Sequence, residues 1–412
     1  MLKLAYVIAL ISFSSNIWAT ESTLKGIIDV RANHVDTKVN SRSYLQGDYG
    51  KFRYDAGNSI SLGQLGVQYQ LNWQNNWSAI LIGNAFADKE SSNIGLTEGY
   101  LQYKGLPSAL GWRIKSKVGV FYPHISMENI SVAWSTPYTL SSSSMNNWIG
   151  EELRNTGINI SIEKLGKALK SPHTFSVDLS LFQNNDSTGA MLAWHGWTIG
   201  SRQTLLQEKL KVQKFPARYK TLSEQAENSD PFIELDNRWG AHLSATWRFQ
   251  NTFKANIGYY DNNAEEGVVE NGQYTWKTVF SHLGIKYKLA PQVELIGQYM
   301  HGNTYMTSPM GVDVVDVNFD NIFLMIRKKW NKSHVALRIE HFNTDDSDNT
   351  WGDNNDETGS GITISYRYKL SRQSFFMTEV NWISSKRPSR NYQHQDIELI
   401  ERQFQFAYRF YF

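Results

Sequence analysis

The segment Phe404-Gln-Phe-Ala-Tyr-Arg-Phe-Tyr-Phe412 places an aromatic side chain at every second position from residue 404 to residue 412. Successive side chains of a β-strand point to opposite faces, so these five rings share one face. A stripe of rings is unfavourable in water and favourable against the hydrocarbon of a bilayer. The segment therefore predicts a strand that crosses a membrane with its aromatic face toward lipid.

The same two-residue period recurs through most of the chain. Segments with this pattern include residues 65–73, 112–122, 175–181, 239–249, 283–289, 322–326 and 362–368. They are joined alternately by short turns, near residues 75, 251, 291, 331 and 371, and by long polar connections. Antiparallel barrels of the bacterial outer membrane are built in this way, with the short turns toward the periplasm. The aromatic strand that ends on Phe412 also resembles the last strand of that class of protein.

These patterns predict an all-β fold, a transmembrane antiparallel β-barrel of 16 to 18 strands. The strand number must be even if both ends of the chain lie on the periplasmic side. Residues 190–212 decide the count, because they form either a further hairpin, which gives 18 strands, or part of one large loop, which gives 16. We favour 18 strands.

Residues 1–19 have the pattern of a cleaved secretory signal peptide: Lys3, an apolar run over residues 4–13, and Ala19 at the expected cleavage site. Residues 20–412 would then form one barrel domain with an inserted loop at about 123–154. No later stretch is apolar over about 18 residues, so no transmembrane helix is predicted. The chain has no cysteine, which excludes disulfides, and its 41 basic and 39 acidic residues give no reason to expect a nucleic-acid partner.

Positions between the lipid-facing ones point into the lumen, where basic residues outnumber acidic ones. Arg113, Lys115 and Lys117 form the densest group, with one cation at every second residue of a single strand. At a spacing of about 6.6 Å these cations repel one another unless they are paired or solvated. They form either a track for anions or a wall of cations matched by acids on neighbouring strands. Arg338 and Arg367 are predicted to line the same pore.

Residues 123–154 follow this strand as a long connection with apolar anchors such as Trp148. A loop that folds back into the lumen needs such anchors, whereas a solvated loop does not. We expect Glu128, Glu151 and Glu152 to face the basic strand across a constriction, with Arg154 beside them. The alternative is an outward loop that packs on a neighbouring subunit.

The run from the basic strand through Gly119-Val-Phe-Tyr-Pro123 to Arg154-Asn-Thr-Gly157 resembles the phosphate-selective and related trimeric porins. The resemblance implies a homotrimer in the outer membrane of a Gram-negative bacterium, in contact with lipid and lipopolysaccharide. It does not imply phosphate as the solute, because the chain lacks a dense series of arginines.

The loop 343–359 is rich in aspartate, including Asp345, Asp346 and Asp348. Such oxygen ligands could hold Ca²⁺ or bridge through divalent ions to lipopolysaccharide. The spacing does not match a helix-loop-helix calcium site. A solvated acidic loop is the favoured interpretation, and no cofactor is predicted.

The sequence thus predicts a porin, a passive channel for small hydrophilic solutes with a mild preference for anions, and not an enzyme. One alternative is an outer-membrane barrel hydrolase. His341 near Asp345 and Asp346 is the rim pair that such an enzyme could use, although a Gly-x-Ser-x-Gly motif is absent. The other alternative is a closed structural or adhesin-type barrel.

Overall fold

The computed structural model describes residues 21–37, 42–88 and 92–412. The predicted signal peptide lies outside the described residues. The strands are β1 (Glu21–Thr37), β2 (Gly57–Asn72), β3 (Trp77–Ala87), β4 (Ser92–Lys104), β5 (Trp112–Phe121), β6 (Asn155–Lys164), β7 (His173–Gln183), β8 (Leu210–Lys211), β9 (Asn228–Ser229), β10 (Gly240–Phe249), β11 (Phe253–Asp261), β12 (Val269–Glu270), β13 (Gln273–Tyr274), β14 (Lys277–Ala290), β15 (Val293–Thr307), β16 (Asp313–Trp330), β17 (Ser333–Asp346), β18 (Glu357–Lys369), β19 (Ser374–Lys386) and β20 (Glu398–Tyr411). The α-helices are Ser144–Glu152 and Ala190–His195, and the 3-10 helices are Tyr44–Gln46, Val132–Trp134, Gly166–Leu169, Pro216–Tyr219 and Pro388–Gln393.

Sixteen of these strands close into one antiparallel barrel, and the other four form two small sheets, β8–β9 and β12–β13. β1 pairs with β2 and closes the ring by pairing with β20, where Ile27 lies opposite Tyr411. The backbone N–H of Gly26 donates to the carbonyl of Phe412 at 2.9 Å, so the closure extends to the last residue. A closed ring satisfies the backbone hydrogen bonds within lipid, where water cannot.

The predicted transmembrane β-barrel is confirmed, and β20 shows the alternation directly. The rings of Phe404 and Phe406 lie on the outer face and are 46% and 51% exposed. Ala407 and Arg409 face the lumen and are buried. Among the described residues, no helix is both long and apolar enough to cross a bilayer.

The preference for 18 strands is wrong, because the barrel has 16. Residues 190–212 add no hairpin to the wall; they begin as the helix Ala190–His195. The carboxylate of Glu152 accepts hydrogen bonds from the backbone N–H groups of Met191 at 3.0 Å and Leu192 at 3.3 Å, which holds this helix beside the inserted segment. Leu192 and Trp197 then pack in an apolar cluster with inward-facing side chains and do not face lipid.

This apolar cluster occupies part of the lumen toward the long-loop end. Trp148, on the helix Ser144–Glu152, lies 5.8 Å from Trp197, 5.6 Å from Phe280 and 5.4 Å from Phe319, measured between ring centroids. Phe280 and Phe319 point inward from β14 and β16, and all four rings are buried. The barrel wall therefore encloses a packed core of the kind that soluble domains have.

Candidate functional site

Residues 123–154 are held against the inner wall by buried carboxylates, which bind a run of four serines at residues 141–144. The backbone N–H groups of Leu140 and Ser141 donate to Glu379 at 2.6 and 2.9 Å, and the Ser141 hydroxyl donates at 2.5 Å. The N–H and the hydroxyl of Ser144 both donate to Glu340 at 2.7 Å. Because Glu340 and Glu379 point inward from β17 and β19, these bonds tie the segment to the wall.

Glu128, from the segment itself, supplies a third carboxylate. It accepts hydrogen bonds from the N–H of Ser143 at 2.7 Å, from its hydroxyl at 2.6 Å and from the amide of Asn146 at 2.8 Å. Ser143 is also the N-cap of the helix that begins at Ser144, so Glu128 helps to fix where that helix starts. We call Glu128, Glu340, Glu379 and residues 141–144 the serine clamp.

Arg338, on β17, lies within the serine clamp and is fully buried. Its Nε donates to Glu340 at 3.0 Å, and its Nη1 lies 3.4 Å from Glu128. The same guanidinium donates to the carbonyls of Ser141 at 2.9 Å and Ser142 at 3.0 Å. One cation therefore offsets buried negative charge and satisfies two buried carbonyls. Its burial places Arg338 inside this network and not on the pore surface, where the sequence predicts it.

The other two glutamates of the segment are also occupied by protein groups. Glu151 lies 3.2 Å from Nε2 of His195, and Glu152 accepts hydrogen bonds from Trp148 Nε1 at 2.6 Å and from the N–H of Met191 at 3.0 Å. Burial raises the pKa of Glu152 to about 7, because a carboxylate loses hydration when it is enclosed.

On the basic strand β5, the first two cations share one acid. Arg113 Nε and Lys115 Nζ each lie 2.7 Å from the carboxylate of Glu163, on the neighbouring strand β6. The ammonium of Lys117 lies 4.7 Å from the ring centroid of Tyr100. For Arg113 and Lys115 the structure thus favours a wall of cations matched by a neighbouring acid.

The structure does not bring the loop glutamates to the basic strand, because each has partners closer at hand. Arg154, predicted beside them, is buried and stacks on Tyr122, with 3.7 Å between the guanidinium carbon and the ring centroid. Arg367 is half-buried and donates to the carbonyl of Pro137 at 2.8 Å, which anchors the segment at a second point. The expected opposition of charges across a waist is therefore not present among these residues.

A row of cations crosses three neighbouring strands near the short turns. Arg248 on β10 lies directly opposite Lys254 on β11, and Lys254 lies directly opposite Lys286 on β14. Together with Lys288 and Glu294, the row lines a cavity of about 280 Å³. The lining holds four cations and one acid, so the cavity has a positive potential. The sequence shows that these residues are basic, and only the pairing register shows that they are adjacent.

In the acidic loop 343–359, carboxylates bond to the loop's own backbone, as where Asp346 accepts a hydrogen bond from the N–H of Asp348 at 3.3 Å. A converging group of three carboxylates is found elsewhere in the described part of the chain: Asp186, Glu234 and Asp236. Oδ2 of Asp186 accepts hydrogen bonds from the N–H groups of residues 235 and 236, so that oxygen already has partners. The structure gives the acidic loop no comparable set of converging ligands.

Comparison with protein families matches residues 172–412 to the family described as "Putative beta-barrel porin-2, OmpL-like". The match spans more than half of the 412 residues. The chain belongs to this porin family. A comparison with curated proteins found no match to the sequence of this porin.

Solved porins share the fold at low sequence identity. The anion-selective porin from Comamonas acidovorans is 12% identical, with a TM-score of 0.53 over 95% of this chain and 99% of that chain. The outer membrane channel DcaP of Acinetobacter baumannii is 9% identical, with a TM-score of 0.53 over 95% of this chain and 97% of that chain. OmpT of Vibrio cholerae in its trimer form is 9% identical, with a TM-score of 0.51 over 95% and 99% of the two chains. At these identities the likeness concerns the fold alone.

Proposed function

We propose that this porin is a passive diffusion channel for small hydrophilic solutes in the outer membrane of a Gram-negative bacterium, with a mild preference for anions. The observation that carries the proposal is the row Arg248, Lys254 and Lys286, which presents cations to a cavity at the short-turn end of the lumen. Glu294, the acid in the lining of that cavity, is buried. A positive lumen wall lowers the barrier to anions and raises the barrier to cations.

Two other ion-paired groups near the short turns show the same asymmetry of exposure. The side chains of Arg113 and Lys115 are 20% and 30% exposed, whereas their partner Glu163 is 4% exposed. Arg327 is 24% exposed and its partner Glu294 is 7% exposed. Water inside the barrel therefore contacts the cation of each pair more than the acid, which supports the anion preference.

The apolar cluster around Trp148 favours a second candidate, a barrel whose lumen is closed. In the channel that we propose, the conducting path passes beside this cluster and along the basic wall. Purified protein in a planar bilayer separates the two functions, since a porin gives stepwise conductance and a closed barrel gives none. Absence of steps at high protein load would overturn the channel proposal.

The anion preference is tested by the reversal potential in a KCl gradient. We expect an anion-selective value for the wild type and a shift toward cations when Arg248→Gln and Lys254→Glu are combined. The matched control is Lys164→Gln, which removes a cation from the outer face of the wall, where Lys164 lies 5.3 Å from the ring of Trp112. A cation-selective wild type, or an equal shift in the control, would refute the proposed role of the row.

We further propose a homotrimer surrounded by lipid and lipopolysaccharide. The fold shared with OmpT, which has a trimer form, supports this assembly. Native mass spectrometry of the detergent-solubilised protein should show a trimer, and a monomer at all concentrations would contradict it.

The alternative that this barrel is a hydrolase can be tested by enzyme assays. His341 bonds to Ser360 rather than to the neighbouring aspartates, with 2.9 Å between Nδ1 and Oγ on the outer face of the wall. The backbone groups around this pair are used in the strand ladders, which leaves little to stabilise an oxyanion. Phospholipid hydrolysis that disappears in Ser360→Ala would establish the enzyme; we expect none in either protein.

A further inference from the structure

Two histidines meet inside the barrel across a glycine. His242 on β10 and His282 on β14 both face the lumen, and β11 lies between them. Their Nε2 atoms are 2.9 Å apart. Gly258 on β11 permits this approach, because a Cβ at that position would lie 2.4 Å from Nε2 of His282.

The hydrogen bonding of this pair is incomplete. His242 and His282 are 1% and 2% exposed, so neither ring is solvated in the ordinary way. One N–H must lie between the two Nε2 atoms, since two bare nitrogens would repel at this distance. Nδ1 of His282 is buried and has no hydrogen-bond partner in the described structure. This nitrogen can carry the proton that metal binding displaces from Nε2 of the same ring.

The separation of the two nitrogens matches one metal geometry better than another. With metal–nitrogen bonds of about 2.05 Å, ligands at 90° lie about 2.9 Å apart, and tetrahedral ligands lie about 3.3 Å apart. The observed 2.9 Å therefore suits two neighbouring positions of a square-planar or tetragonal ion. Cu²⁺ and Ni²⁺ prefer that geometry with nitrogen ligands, and Cu²⁺ binds the more tightly of the two.

Solvent-exposed polar groups lie on the same face of the wall as the pair. The side chain of His124 is 40% exposed and lies 3.8 Å from Asp178, measured from Nδ1 to the carboxylate. Asp178 lies directly opposite Ser244, two residues along β10 from His242 and on the same face. Asp178 therefore shares the lumen face of the wall with the pair, and His124 beside it is open to solvent.

We propose that His242 and His282 form a binding site for a divalent transition metal of square-planar preference, Cu²⁺ before Ni²⁺, in the lumen wall. Both Nε2 atoms coordinate the ion; the proton that lay between them moves to Nδ1 of its own ring, so no proton is released. Water completes the coordination, since no third protein ligand converges on the pair among the described residues. The site is independent of the proposed anion preference, because it is defined by binding and not by conductance.

The test is a Cu²⁺ titration of tag-free, folded protein in detergent, followed by electron paramagnetic resonance. The wild type should bind one Cu²⁺ per chain with hyperfine coupling to at least two nitrogens, and Mg²⁺ should not displace it. His242→Gln and His282→Gln should each lower the affinity at least tenfold. A wild-type spectrum with coupling to fewer than two nitrogens would overturn the proposal without recourse to any variant.

Two controls separate this site from surface binding. His301→Gln removes an exposed histidine that lies 3.0 Å from Asp320 on the outer face, and it should leave binding unchanged. Gly258→Ala retains both histidines but places a methyl group between them, and it should abolish binding. Equal affinity in the wild type and in both glutamine variants, or a loss in His301→Gln alone, would refute the site.

Discussion

Arg338→Ala should destabilise the protein by about 3–5 kcal/mol, the usual cost of removing one partner from a buried charge network. The magnitude follows from the geometry of the serine clamp. Arg338, Glu128 and Glu340 have fully buried side chains, and the guanidinium lies 3.4 Å from Glu128 and 3.0 Å from Glu340. Its loss leaves two buried negative charges without their cation and the carbonyls of Ser141 and Ser142 without donors.

The assay is urea unfolding of the barrel in detergent micelles at pH 8, followed by tryptophan fluorescence. Arg338→Lys keeps the charge but not the forked geometry, so we expect an intermediate loss of about 1–3 kcal/mol. The matched control is Glu398→Ala, because Glu398 forms an exposed pair with Lys386 at 3.7 Å. That pair should contribute less than about 1 kcal/mol.

The ranking of the three variants decides the outcome. If Arg338→Ala costs no more than Glu398→Ala, the buried carboxylates are not held by this cation and the description of the serine clamp is wrong. Limited proteolysis gives an independent readout, since release of the clamp should expose residues 123–154 to cleavage.

Three further outcomes are expected. Trp148→Ala should lower stability by about 3–5 kcal/mol and raise single-channel conductance, because it leaves a cavity at the centre of the apolar cluster. Unchanged conductance would show that the conducting path does not pass beside this cluster. Burial raises the pKa of Glu152 to about 7 from its ordinary 4.5. The protonated carboxyl therefore contributes its full stability below pH 4.5, and this contribution is lost as the pH rises to about 7. Urea unfolding should show a decline of about 3 kcal/mol over this range in the wild type and no such decline in Glu152→Gln. Gly119→Ala should reduce the folded fraction on heat-modifiability gels, because φ is +133° and a Cβ would lie 2.3 Å from the carbonyl of Gly99; normal folding would contradict the strain.

The candidate site was only partly predictable from the sequence. The inward direction of Arg113 and Lys115 follows from alternation, but their partner Glu163 lies on another strand, and the shared acid emerges only from pairing. The sequence predicts that the loop glutamates face the basic strand, because their loop directly follows that strand and has the apolar anchors of a loop that folds back into the lumen. In the fold these glutamates instead bind serine hydroxyls, backbone N–H groups and His195. These partners lie near the glutamates because part of the segment forms a helix that packs against a second helix.

The sequence by itself determined the wall of the barrel. A two-residue period is a local property: each residue's face depends on its neighbours alone, so β20 and its outward rings could be recognised in isolation. The tertiary structure alone decided what fills the ring. The count of 16 strands, the serine clamp and the meeting of His242 with His282 all depend on contacts between residues far apart in the chain, such as Ser144 with Glu340. Such contacts are set by register and packing, which no local period encodes.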